Sequence, residues 1–238
     1  MEQGFGDRKH LWVLVMLAMV VSCSGGSRSG GDVSEGEIIY QVSYPEMDPK
    51  GSLVMMLPDE LKITFKENKM KTSFKTAAGV LRMDVISDAD AYEMINTIEI
   101  FGDQYAVVID SSADYRLGRS LGNFKAEKTE EVVELAGKKV RKVNLYFEGE
   151  DDPKTIFVSD EFDVVDPNWA TIYGSIQGML MEYEIEHYDI LMHLKAADIR
   201  LKEIDDSEFI VDEDCKMMSQ EEFDAFVRSN LSILLDDL

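Results

Sequence analysis

"MLMEYEIEHYDILMHLKAADIRL", Met179 to Leu201, decides the fold. From Met181 its first half alternates without a break. Met179, Met181, Tyr183 and Ile185 fall on one side, and Glu182, Glu184 and Glu186 on the other. A period of two belongs to an extended strand with one face buried and one in water. "HYD", His187 to Asp189, reads as the turn, and Ile190, Met192 and Leu194 carry the alternation back. At Ala196 and Ala197 the parity slips, because the apolar set resumes as Ala197, Ile199 and Leu201. One inserted residue is what a β-bulge supplies, and bulges twist and curl a sheet. The stretch therefore predicts an antiparallel hairpin within a curved sheet.

Upstream the same period recurs. "EIIYQVSY" sets Ile38, Tyr40, Val42 and Tyr44 on one face, and "LKITFK" does so with Leu61, Ile63 and Phe65. "KMKTSFKT" places Met70, Thr72 and Phe74 opposite Lys69, Lys71, Ser73 and Lys75, whose charged side chains are expected in water. "LRMDV", then Ala91 to Phe101 and Gln104 to Asp110, continue the pattern. The connections are too short for crossover helices, so neighbours should pair antiparallel as a meander. From Ser111 to Lys128 the pattern is lost, and loop and weak helix are equally good readings. Strands resume in "KKVRKVNLYFEG" and "KTIFVSDEF".

Two helices interrupt this order. In "DPNWATIYGSIQG", Trp169, Ile172, Tyr173 and Ile176 recur at helical spacing. Asp166 stands as N-cap, Pro167 at the first helical position and Gly178 past the end. Near the C-terminus Ser219 and Glu222 form a capping box ahead of Phe223, Phe226, Val227, Leu231 and Leu234. The expected fold class is mainly β with short helices: one curved antiparallel sheet, a half-barrel, with helices on its concave face.

The N-terminus carries an address. Arg8 and Lys9 precede the apolar run Leu11 to Val21, the order of a secretory signal, too short to span a bilayer as a helix. "VVSC" then resembles the bacterial lipobox, which implies cleavage before Cys23 and lipid attachment to its thiol and amine. Two or more chains anchor stably where one does not. Of the two cysteines, Cys215 is then left as a small buried hydrophobe rather than a disulfide partner. The expected organisation is a signal peptide over 1–22, an anchored Gly/Ser tether over 23–35 and one domain over 36–238. Ser24 is not the aspartate that retains many lipoproteins at the inner membrane. By that resemblance the chain is an outer-membrane lipoprotein, and the tether's lack of an early acidic cluster turns it toward the periplasm.

Charge excludes one class of partner. The formal net charge is −23, from 47 acidic and 24 basic residues, and such a surface repels nucleic acid. No acidic run has the spacing of a calcium loop, and no H-x-x-x-H or C-x-x-C framework offers a metal site. "GSIQG" lacks the serine position of a nucleophile elbow. His187, expected in a turn, and His193, in a strand, read as isolated structural residues. Neither a catalytic set nor a cofactor is expected.

From "ELAGKKVRKV" through "IQGMLMEYEIE" to "FIVDEDCKMM", the C-terminal half resembles a family of exported Bacteroidota proteins of unknown function. Ala136-Gly137-Lys138, Gly178 to Ile185 and Phe209 to Met218 carry the likeness. The family's final aromatic is replaced near Cys215, and "GSIQG" stands where a related family has "GLPG". The resemblance implies a lipoprotein-carrier fold, a curved half-barrel with helices in its concave face.

Methionine is abundant, 14 residues, and many lie on apolar faces. They suit a core as flexible filler, and they equally suit a deformable cavity. If the curved sheet holds a lipid or other hydrophobe, the inward sets converge on Tyr40, Phe65, Phe74, Met83, Met179, Met181, Tyr183 and Met192. Trp169 and Ile172 would act as a movable plug. Such pockets measure roughly 300–1,000 Å³. The alternative is an envelope assembly module with a protein partner and no small ligand.

Overall fold

The computed structural model describes residues 33–51, 54–76, 79–109 and 123–236. The signal peptide, Cys23 and nearly all of the tether lie outside them, as does most of the unpatterned Ser111–Lys128 stretch.

The described chain is mostly β, in one long, curved, open sheet. Its first meander is β1 (Glu35–Ser43), β2 (Glu60–Lys66), β3 (Lys69–Lys75), β4 (Leu81–Asp88), β5 (Glu93–Ile100) and β6 (Asp103–Ile109). A second meander comprises β7 (Phe124–Leu135), β8 (Lys138–Phe147), β9 (Lys154–Ser159), β10 (Met179–His187) and β11 (Ile190–Arg200). The two meet where β11 pairs with β1, so β6 and β7 stand far apart although they follow one another in sequence. A two-residue strand, β12 (Lys216–Met217), lies parallel to β6 as the one exception to antiparallel pairing among the described strands. The helix α1 (Gln220–Asp236) closes the described chain.

The hairpin behaves as its alternation demands. Tyr183 faces Leu194 and Ile185 faces Met192 across β10 and β11. The turn is tighter than expected: His187 still pairs with Ile190, and Tyr188 and Asp189 alone reverse the chain, both at positive φ. The slip in β11 is a bulge, because Ile39 faces Asp198 while Tyr40 faces Ala196, leaving Ala197 unpaired and exposed. Further register shifts leave Met181 unmatched in β10 and three β7 residues opposite Lys142. Each adds local twist, consistent with a half-barrel.

The inner face is filled in part by the chain itself. After β9, Phe162 meets the ring of Phe65 edge-on at 5.5 Å, and the Val165 amide donates to the Glu67 carbonyl at 3.0 Å. The same segment carries Trp169 to Tyr92 (5.6 Å between ring centroids) and brings Tyr173 back onto Tyr183 (5.8 Å). It is not the expected helix. Its backbone bonds run from Trp169 to Asp166, Thr171 to Asn168, Gly174 to Thr171 and Ile176 to Tyr173, a chain of tight turns. Asp166 has φ 38°, unlike an extended N-cap residue. The Asn168 amide donates to the Ile176 and Gly178 carbonyls, each at 2.8 Å, and Thr171 bonds to the Asn168 carbonyl. Short polar side chains that bond the backbone in this way compete with a helical ladder.

The outer face corrects two more expectations. Beyond β11 the chain is drawn across it as a strap. The Ile204 amide donates to Glu35 at 2.9 Å, and Lys66 bonds the Ile204 carbonyl and Asp206. Ile204 and Phe209 cover Ile86 in a small apolar cluster, so the outer face is not wholly polar. Lys71 does not face open water: its side chain is 12% exposed, between Asp84 at 4.0 Å and Glu208 at 3.2 Å. Buried Glu37 is gripped by Lys62 at 3.0 Å and Lys202 at 3.1 Å. Burial by itself raises its pKa, but the two lysine hydrogen bonds outweigh that and lower it.

Candidate functional site

An apolar cavity of about 40 Å³ lies at the end of the sheet where β1–β4 approach the β10–β11 turn. Val42, Leu61, Phe74, Leu81, Met83, Ile190 and Met192 come to it from successive strands. Their convergence follows from pairing, since Leu61 faces Phe74 and Phe74 faces Met83 on the inner side. One wall is not strand at all. Leu57 and Pro58 belong to the irregular stretch between β1 and β2, held in place where the Tyr44 hydroxyl donates to the Pro58 carbonyl at 2.6 Å.

Of the residues expected to line a pocket, Phe74, Met83 and Met192 do so. Tyr40, Phe65, Met179, Met181 and Tyr183 are instead packed into the main core. Tyr40 donates to the Leu180 carbonyl at 2.6 Å and meets Tyr183 edge-on at 6.0 Å, and burial pushes both hydroxyls far above their ordinary pKa. Ile172 packs against this core, and Trp169 joins a second one with Leu81, Met83, Val107 and the α1 residues Phe223 and Val227. Among the described residues, the expected lining set therefore encloses about 40 Å³ rather than a few hundred cubic ångströms. The converging inward sets mostly meet one another, close-packed as protein interiors are.

His187, expected in a turn as an isolated structural residue, instead ends β10 and lines the cavity. The residue is partly exposed overall, yet its Nε2 is buried without a hydrogen-bond partner. Burial first, then the positive charge of Arg228 on α1, lowers its pKa from the ordinary 6.5 to about 4. The Tyr188 ring lies tilted beside it, 4.2 Å between centroids, and Asp189 holds Arg228 through an ion pair. A histidine whose folded pKa is depressed contributes stability that is complete above pH 6.5 and lost as pH falls toward 4. We expect His187→Phe to flatten the stability–pH curve in that window relative to wild type. Parallel curves from urea titrations at several pH values would refute the assignment.

No protein-family model matches the chain, and no curated protein does. Among solved structures, PNGF-II in two crystal forms aligns with TM-score 0.46 at 9% identity, covering 81% of this chain and 32% of that one. A beta-barrel-like protein of the domain of unknown function DUF1849 from Brucella abortus aligns with TM-score 0.31 at 9% identity, covering 72% of this chain and 99% of that one.

Proposed function

We propose that this protein is a non-catalytic binding protein of the bacterial cell envelope. Lipid on Cys23 holds it at the outer membrane, on the periplasmic side, and it takes a hydrophobic chain into the cavity beside the β10–β11 turn. The observation that carries this reading is the make-up of that cavity. Its walls are almost wholly apolar, two of them are methionines, and one side is the irregular stretch bearing Leu57 and Pro58. At about 40 Å³ the cavity is far below the roughly 300–1,000 Å³ of ligand pockets, so a chain must spread the walls as it enters. Unbranched thioethers yield to such intrusion more readily than branched side chains. Each methylene buried contributes about 0.8 kcal/mol toward that work.

The test uses the full mature protein in detergent and an uncharged fluorescent fatty-acyl ester probe. Met192→Trp fills the cavity from the partly buried side and should abolish binding while the circular dichroism spectrum is unchanged. Native mass spectrometry of wild type should show co-purifying lipid, and Cys23→Ala should leave the detergent phase. The filled inner face favours a second reading, an assembly module with a protein partner. Absence of probe binding to wild type, together with a stable crosslinked partner in membranes, would establish that one instead.

A further inference from the structure

We infer that the ligand of this cavity is an aliphatic alcohol, whose hydroxyl bonds His187 at one end while its chain lies among Met83, Met192 and Phe74. The inference rests on the hydrophobic-ligand reading and adds the chemistry of the polar end. Nε2 of His187 is the buried polar side-chain atom without a partner on a wall that is otherwise apolar. Leaving such an atom unpaired is costly, and a ligand group bonded to it recovers that cost.

The group must be neutral. The surrounding walls are apolar, and burying an unpaired charge among them is costly. His187 supplies no counter-charge, because burial and Arg228 keep its ring unprotonated near neutral pH. The other charged groups near the ring, Asp189 and Asp224, are turned to Arg228 and to the Tyr188 hydroxyl. A neutral imidazole presents either a donor or an acceptor at Nε2, and a hydroxyl answers both. The position fits as well. His187 is the last residue of β10, beside the turn, so a polar end bonded there lies at one end of the cavity and leaves the chain to the lining of β3, β4 and β11.

The experiment compares 1-octanol with 1-chlorooctane, similar in length but lacking a hydroxyl, by titration calorimetry on the full chain. Wild type should bind the alcohol roughly tenfold tighter, the scale of one good hydrogen bond, and His187→Phe should reduce that ratio to about one. The ring is replaced by one of similar shape and no satisfied bond is lost, so the variant should fold. Should it not, the imidazole 15N resonance of wild type decides, moving with octanol and not with chlorooctane. Equal affinities with an unmoved resonance overturn the alcohol and leave the hydrophobic reading standing. Binding of neither compound overturns both.

Discussion

Met181→Glu is expected to leave no folded protein at neutral pH. Met181 is fully buried, in the main core with Tyr40, Tyr183 and Leu194. It is also the residue that the β9 register skips, so its backbone sits at a bulge. A glutamate there loses the methionine's burial, about 1.5–3 kcal/mol, and adds an unpaired carboxylate at a cost of several more. Together these approach the roughly 5–15 kcal/mol that holds a typical domain folded. Met181→Leu keeps the volume and should cost less than about 1.5 kcal/mol. Circular dichroism and urea titration of the pair decide the matter. A well-folded glutamate variant would mean that the core opens at this point into a cavity.

That expectation reverses what the inward alternation of Met179, Met181 and Tyr183 suggests for a ligand pocket. Parity tells which face a side chain occupies, but not whether the space before it is empty. Phe162, Tyr173 and Ile176 come from the turn segment after β9 and fill that space, and nothing in the strand pattern announces how far the segment reaches. The segment itself imitates a helix. Trp169, Ile172, Tyr173 and Ile176 have helical spacing, but Asn168 and Thr171 spend their side chains on the backbone, and consecutive tight turns result.

Strands with one covered face were legible because burial writes a period of two into them. β7 has almost no covered face, since Phe124 and Leu135 at its two ends alone among its apolar residues pack against the core. Nearly all of Phe124–Leu135 is exposed, its charges fall on both sides, and it gives no alternation to read. Its place at the edge explains this, since an edge strand dressed with Lys and Glu and broken by a bulge discourages further pairing. In the site, Phe74, Met83 and Met192 were legible from parity. So was His187, had the series Met181, Tyr183, Ile185 been carried one step further instead of ending at a turn. Leu57 and Pro58 were not, because the chain between β1 and β2 has no period.

Phe223→Ala should cost about 3–5 kcal/mol, the usual loss for a buried phenylalanine. Phe223 and Val227 are fully buried among Leu81, Met94, Ile98 and Val107, where they are the fully buried α1 residues of the second core. Phe226 adds a half-buried contact, its ring 4.5 Å from that of Tyr105, and two further attachments of α1 are polar and more exposed. Tyr188 donates to Asp224 at 3.1 Å, and Arg228 pairs with Asp189 while lying 5.4 Å from the Tyr188 ring. Exposed ion pairs contribute about 0–1 kcal/mol, so they orient the helix more than they hold it. The helix start is built separately: the Ser219 hydroxyl and Glu222 carboxylate bond one another, and each also bonds the other's backbone amide. Ser219→Ala should accordingly cost about 1 kcal/mol, well short of the phenylalanine. Hydrogen exchange separates the two effects. With Phe223→Ala, protection should fall in α1 and in β4–β6 together, because the helix covers those strands. With Ser219→Ala the loss should stay within the first turn. If Phe223→Ala exposes α1 alone, the second core holds without its helix.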